Sequence, residues 1–329
     1  MSVRISFSED PRDFLRPDWS DLMDADPAAT FFHQPRYLKL YWEEFGHDSE
    51  LLLAFAEDEG GMVGASAFER HGGELRFLGG TEVTDYMGPV AAPGSEDAVA
   101  RELLAALAGR GDWTEADLMG MGEDSPWLAR LAGAAGELGL HVEDAPDAVA
   151  PRIALPATYE EYLAGLPGKL RHEIRRKARR LGAGMGEHRV VFATPESLVA
   201  DIGLFAEMHR GSEGRKGRFM VPGMELFFRR LGELFIPEGE FHLAFLEAGR
   251  ERAAAAVAFR FRGVFSLYNS AFDRGRRELA PGMVLVADLI EHAIADGCTV
   301  FDMLKGDLEY KFRFGPVRRE VRRLVITRG

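Results

Sequence analysis

The densest set of reactive side chains lies in Phe301-Asp-Met-Leu-Lys-Gly-Asp-Leu-Glu-Tyr-Lys-Phe-Arg313. Group transfer to an amine needs a base to take a proton, and N–H groups or positive charge where a tetrahedral oxyanion develops. Asp302, Asp307 and Glu309 offer carboxylates for the first task. Tyr310 and Lys311 suit the second, or the protonation of a leaving group. Pairing of Asp302 with Lys311, simply to hold the loop, fits the sequence equally well. A further candidate base is His209 in Glu207-Met-His-Arg-Gly-Ser-Glu-Gly-Arg-Lys-Gly-Arg218, since an unperturbed imidazole titrates near pH ~6.5.

A second constellation suits a phosphate. In Asp273-Arg-Gly-Arg-Arg-Glu-Leu-Ala-Pro-Gly282, the residues Arg274, Gly275, Arg276 and Arg277 run into Pro281-Gly282. An amphipathic helix is expected next, over 283–295, with Val286, Leu289, Ile290, Ala293 and Ile294 on one face. Free N–H groups at its start, the helix dipole and the arginines would together hold an anion. Gly297 then ends the helix, and 299–304 reads as a short strand covered on both sides. A third cationic feature is 168–181, Gly-Lys-Leu-Arg-His-Glu-Ile-Arg-Arg-Lys-Ala-Arg-Arg-Leu, which has seven basic residues and one acid. Its Leu170, Ile174, Ala178 and Leu181 are spaced for one helical face, leaving the rest of the surface cationic. An ordinary solvated face and a grip on phosphates fit that pattern equally well.

The elements that must position these residues show an internal repeat. The segment Leu51-Leu-Leu-Ala-Phe-Ala-Glu57 resembles Phe241-His-Leu-Ala-Phe-Leu-Glu247. Two further short strands follow each, with Phe68 aligned to Phe259 and Gly72 to Gly263. Each trio is succeeded by a loop, a helix and a strand, at 81–121 in one half and 273–304 in the other. That order implies two α/β (α+β) domains with mixed sheets, here placed at 1–150 and 151–329. Charge divides along the same line: the first part nets −20 and the second +7, within a chain total of −13. A polyanion would therefore meet the second half. The first half's matching loop, Thr81 to Gly94, has no Lys or Arg and carries Glu82 and Asp85.

Composition narrows the functional classes. No apolar run reaches the ~20 residues of a membrane helix, and the first ten residues lack the layout of a signal peptide. The single cysteine, Cys298, allows no intramolecular disulfide and suits a reducing compartment; a cytoplasmic location is expected. The nine histidines form no His-x-His or His-x-x-x-His pair, which argues against structural zinc, and no phosphate-cradling Gly-x-x-x-x-Gly-Lys-Ser/Thr loop is present.

The C-terminal motif resembles the GNAT acetyltransferase superfamily, and within it the branch of FemAB-like aminoacyl transferases and cellulose-biosynthesis-type (CelD/BioF2-like) acetyltransferases. The residues that carry the likeness are Pro281, Gly282, Phe301, Asp302, Gly306, Tyr310, Lys311 and Gly315. The superfamily's better-known pyrophosphate loop, Arg/Gln-x-x-Gly-x-Gly/Ala, is matched only in outline by Arg277 to Gly282. The resemblance implies two tandem GNAT domains with mostly antiparallel sheets, a final strand often exchanged between halves, and acetyl-CoA or another acyl-CoA as co-substrate. It implies an N-acyltransferase acting by direct attack on an amine of a small-molecule or cell-envelope acceptor, with no metal. It puts Tyr310 and Lys311 at the donor's reactive end, and Asp85-Tyr86 and the basic Arg215-Lys216 on the substrate side. Two alternatives stay open: a FemAB-like transferase using charged tRNA, and a non-catalytic binding protein that keeps the fold.

Overall fold

The structure, a computed structural model, describes residues 2–212 and 214–328, with Arg215 and Lys216 described in backbone only. It divides into two units: 1–149 together with 319–329, and 150–318.

The first unit contains β1 (Arg4–Ser8), α1 (Pro17–Ala25), α2 (Pro35–Phe45), β2 (Glu50–Asp58), β3 (Gly61–His71) and β4 (Glu74–Phe77). It continues with α3 (Gly80–Val83), β5 (Val90–Ala91), α4 (Glu96–Arg110), β6 (Glu115–Gly122), α5 (Trp127–Glu137) and β7 (His141–Val149). The second unit contains β8 (Arg152–Ala154), α6 (Tyr159–Gly165), α7 (Gly168–Met185), β9 (His188–Phe192), α8 (Leu198–Arg210), α9 (Arg215–Phe219) and α10 (Pro222–Phe235). After these come β10 (Phe241–Ala248), β11 (Glu251–Phe261), β12 (Val264–Phe272), α11 (Pro281–Ala295) and β13 (Val300–Asp302). The last strand, β14 (Glu320–Thr327), belongs to the first unit and pairs with β6 and β7. The second unit thus stops at Arg318, short of the chain's end.

Both sheets follow one plan. The first runs β1-β2-β3-β4-β6-β14-β7, with β5 beside β3, and the second runs β8-β13-β12-β11-β10-β9. In each, three antiparallel strands are followed by a helix and a strand returning parallel to the third, β4 with β6 and β12 with β13. The repeat seen in the sequence is therefore a repeat of topology. Its shared glutamate has a structural counterpart, since β2/β3 breaks register at Glu57 and β10/β11 at Glu247. An extra residue at that point increases the local twist.

The copies differ where a ligand would enter. In the first unit β4 has four residues, and β5 pairs with β3 at Gly64 and Ala65. In the second, β12 has nine residues, whereas β13 pairs only with Val264 to Ser266. From Leu267 to Phe272 one edge of β12 is left unmatched by β13.

The helix following the strand trio covers each sheet. Leu103, Leu104 and Leu107 of α4 join Leu52, Phe68, Leu75 and Leu118 in the first core. In the second, Leu285, Leu289, Ile290 and Ala293 of α11 pack with Ile174 and Leu181 of α7 over Ala254, Ala256 and Ala258. Those alanines present a flat strand surface and let the helix approach closely. Cys298 lies inside this core with a free thiol. Among the described residues no helix is long and apolar enough to cross a membrane.

Candidate functional site

The phosphate-suited loop folds as a turn of 3-10 helix over Arg274–Leu279, initiated by Asp273, whose side chain accepts from the Gly275 N–H at 2.8 Å. This turn gives the three arginines different directions. Arg276 reaches Glu251 at 2.7 Å. Arg274 donates to the Gly211 carbonyl at 3.3 Å. Arg277 turns into a cavity of about 260 Å³ lined also by Ser270, Phe272, Ala280, Pro281, Gly282, Met283 and Tyr310. It forms no ion pair among the described residues. Gly275 gives its N–H to the Asp273 cap and does not line the cavity.

The cavity sits at the start of α11. Ala280 adopts the left-handed conformation, φ 54° and ψ 47°, directly before Pro281. Few non-glycine residues hold that geometry, and strain of this kind concentrates where a ligand or switch uses it. Pro281 has no N–H, while the N–H groups of Met283 and Val284 donate to the Ala280 carbonyl. An anion here would be met by the Gly282 N–H, the positive end of the helix dipole and the Arg277 guanidinium. A phosphate bearing a chain that runs along the open edge of β12 fits this donor set. The corresponding helix of the first unit, α4, instead opens with Glu96 and Asp97 and would repel it.

Strand β12 is bent beside the cavity. Its register with β11 breaks between Val257↔Asn269 and Ala258↔Leu267, which leaves Tyr268 as the extra residue. Asn269 secures the bulge: its Oδ1 accepts from the Ser270 N–H at 2.9 Å and meets His209 Nε2 at 2.9 Å. Ser270 lines the same cavity as Tyr310 and lies close enough to its hydroxyl to lower the phenol's pKa. Burial pushes the Tyr310 phenol up, against the opposing effect of Ser270. The phenol is therefore protonated at neutral pH and poised to donate.

The loop after β13 is held by a cage. Lys311 is 5% exposed, and its Nζ donates to the carbonyls of Met303 (2.6 Å), Leu304 (2.9 Å) and Lys305 (2.8 Å). Leu304 has φ 54°, which helps turn these carbonyls inward. Asp302 is fully buried; its Oδ2 accepts from Arg152 Nε at 2.5 Å and its Oδ1 from the Leu304 N–H at 2.8 Å. Both residues thus build the loop that presents Tyr310. Glu309 is 88% exposed and pairs with Arg313 at 2.9 Å. Asp307 makes a bidentate pair with Arg318, which holds its carboxyl below the usual range.

The remaining residues singled out by sequence lie elsewhere. His209 is fully buried at the end of α8, outside the cavity lining. In the first unit Tyr86 is buried edge-on to Phe32, and Asp85 is half-buried, close enough to help push the Tyr37 phenol up. The side chains of Arg215 and Lys216 fall outside the described residues. Sequence reasoning missed Ser270, Asn269, Arg152 and Met283. The run Tyr268-Asn269-Ser270, which interrupts strand alternation, was the available signal for the bulge.

Residues 168–312 match the family described as Acetyltransferase (GNAT) domain. No curated protein matches the chain. Among solved structures, FemX shares the fold with a TM-score of 0.67 at 10% identity, over 97% of this chain and 96% of that one. The C-terminal domain of a putative lysylphosphatidylglycerol synthetase from Agrobacterium fabrum gives 0.62 at 13%, over 97% and 93%. A tandem GNAT protein from the clavulanic acid biosynthesis pathway gives 0.51 at 15%, over 98% of both chains. From the first turn of α7 through the Tyr310 loop, the chain is similar to the acetyltransferase (GNAT) domain family, and its two-unit fold is shared with a tandem GNAT protein.

Proposed function

We propose that this protein is a cytoplasmic N-acyltransferase that uses acyl-coenzyme A and acts by direct attack on an amine of a small-molecule or cell-envelope acceptor. The observation that carries this reading is the cavity at the start of α11. It combines an arginine with no ion pair among the described residues, a helix start, an unmatched strand edge and a protonated tyrosine. Coenzyme A would supply the acyl group as a thioester with a thiol leaving group. Arg277 and the Gly282 N–H would hold its pyrophosphate, and the edge of β12 from Leu267 to Phe272 would bond its amides. Tyr310 would give its phenolic proton to the departing sulfur as the nitrogen bonds to the carbonyl carbon and the carbon–sulfur bond breaks. Ser270, fixed by the Asn269 bulge and His209 behind it, would orient that phenol. Glu309, exposed beside Tyr310, would take the amine's proton directly or through water. Lys311 and Asp302 hold the loop in place. Asp85, Tyr86, Arg215 and Lys216 are assigned to the acceptor.

Calorimetry with acetyl-coenzyme A tests this. Arg277→Ala should weaken binding about 10- to 100-fold, since one charge-assisted contact contributes about 1.5–3 kcal/mol. Arg276→Ala, which removes only exposed ion pairs with Glu251 and Asp273, should change it by less than about threefold. No binding to the parent protein, or equal effects of the two substitutions, would refute the assignment.

A second reading, transfer from charged tRNA, is favoured by the basic face of α7 and by the fold shared with FemX. It requires tRNA binding that weakens steeply with salt.

A further inference from the structure

A second cavity, of about 680 Å³, lies along α7 and is lined by Lys169, Leu170, His172, Glu173, Arg176, Arg179, Glu309 and Arg313. Positions 169, 172, 176 and 179 fall on one stripe of the helix, opposite the buried Ile174 and Leu181. The stripe is about 15 Å long. Its two carboxylates are already engaged. Glu173 pairs with Lys177 at 3.0 Å and with Arg313 at 3.2 Å, and Glu309 also pairs with Arg313. Lys169, Arg176 and Arg179 form no ion pair among the described residues. The groove therefore holds three positive charges outside any ion pair among the described residues, Arg176 also lying near enough to Glu173 to help lower its pKa, in a protein whose net charge is −13.

We infer that this groove is a second anion site, for a small molecule carrying neighbouring phosphate groups. Arg176 and Arg179 are one turn apart, about 4.5 Å along the axis, which suits two linked phosphates. Lys169 lies about 10 Å further on, within reach of another anionic group. A polynucleotide fits less well, because much of the remaining basic surface of α7 is committed. Arg171 donates to the carbonyls of Leu163 and Ala164, Lys177 is paired with Glu173, and Arg180 lies 3.7 Å from Glu278. The two cavities meet consecutive residues of one loop, Glu309 lining this one and Tyr310 the α11 cavity. Its phosphates would come from the nucleotide end of the donor or from a separate acceptor. The site itself does not require that coenzyme A be the donor.

The test is calorimetric titration of the full chain with inorganic tripolyphosphate at low salt. R176Q/R179Q changes two exposed side chains and should weaken binding at least tenfold. R189Q/R250Q, an equal charge change at exposed positions elsewhere in the same unit, should change it less than twofold. Repeating the titration with saturating coenzyme A separates the sources. Displacement of tripolyphosphate, together with loss of coenzyme A affinity in R176Q/R179Q, assigns the groove to the donor's nucleotide. Undiminished binding assigns it to an acceptor's phosphates. Absence of tripolyphosphate binding, or equal weakening by both double variants, overturns the inference. So does bulk tRNA binding that is lost in R176Q/R179Q while tripolyphosphate does not bind. Because the first titration contains no coenzyme A, its failure is distinct from failure of the donor assignment.

Discussion

Replacing Lys311 by Met keeps the length of the side chain and removes the ammonium from its cage. Three carbonyls then lose a charged donor. Those of Met303 and Leu304 belong to buried residues, whereas Lys305 is half-buried and can turn to water. A buried polar group left unpaired costs about 1–3 kcal/mol, so the two buried carbonyls set a loss of about 2–6 kcal/mol. Relief from desolvating an ammonium offsets part of this. The expected net destabilisation is about 3 kcal/mol, which for a unit of this size lowers its melting temperature by about 6–12 °C. Lys311→Arg should fall between, because a planar guanidinium cannot direct three N–H groups at carbonyls arranged around one point. Differential scanning calorimetry provides the melting temperature, and hydrogen exchange of peptides spanning 300–314 shows where protection is lost. A melting temperature for Lys311→Met within 2 °C of the parent, with unchanged exchange there, would refute the cage argument.

Tyr310→Phe should lower kcat at least about 100-fold, the lower range for a positioned acid, while the KM for acyl-coenzyme A changes little; steady-state kinetics over a pH series measures both. Asp288, on α11 and 3.5 Å from His188, has its pKa pushed up to about 7 by burial and by Glu291. The folded state therefore keeps a proton that the unfolded chain releases near pH ~4, and stability falls as pH rises from there towards 7. Asp288→Asn should stabilise the protein by about 1–3 kcal/mol at pH 8 and by little at pH 4, read from urea unfolding at the two pH values. Equal effects at both would sink the idea.

The sequence disclosed elements whose signals are local. Pro281-Gly282, the apolar spacing from Val286 to Ile294 and Gly297 mark α11, and both copies of Leu-Ala-Phe-x-Glu mark strands that break register at the same glutamate. Roles that depend on direction were hidden. Arg274, Arg276 and Arg277 look alike in one dimension; a 3-10 turn capped by Asp273 sends one to a carbonyl, one to Glu251 and one into the cavity. One extra residue in β12 reverses which side chains face which side from Tyr268 onward, and no period-two reading could anticipate that Ser270 lines the cavity with Tyr310. The partners of Lys311 are backbone carbonyls, which every residue has, so no residue type announced them.

The position of β14 sets a timetable for synthesis. The strand lies between β6 and β7 and places Val321, Leu324 and Ile326, all fully buried, in the first unit's sheet. Until it emerges from the ribosome, β6 and β7 lack the neighbour that joins them. After residue 149 the 169 residues of the second unit must be translated first, on the order of 10–30 s at typical elongation rates. The second unit closes on itself: Arg152 and Val317 exchange backbone hydrogen bonds of 3.0 and 2.8 Å, so it can fold as soon as its own last residue is released. The half made first is thus finished last, and it waits with open strand edges, a hazard for edge-to-edge association that its −20 charge counteracts by repulsion between nascent chains.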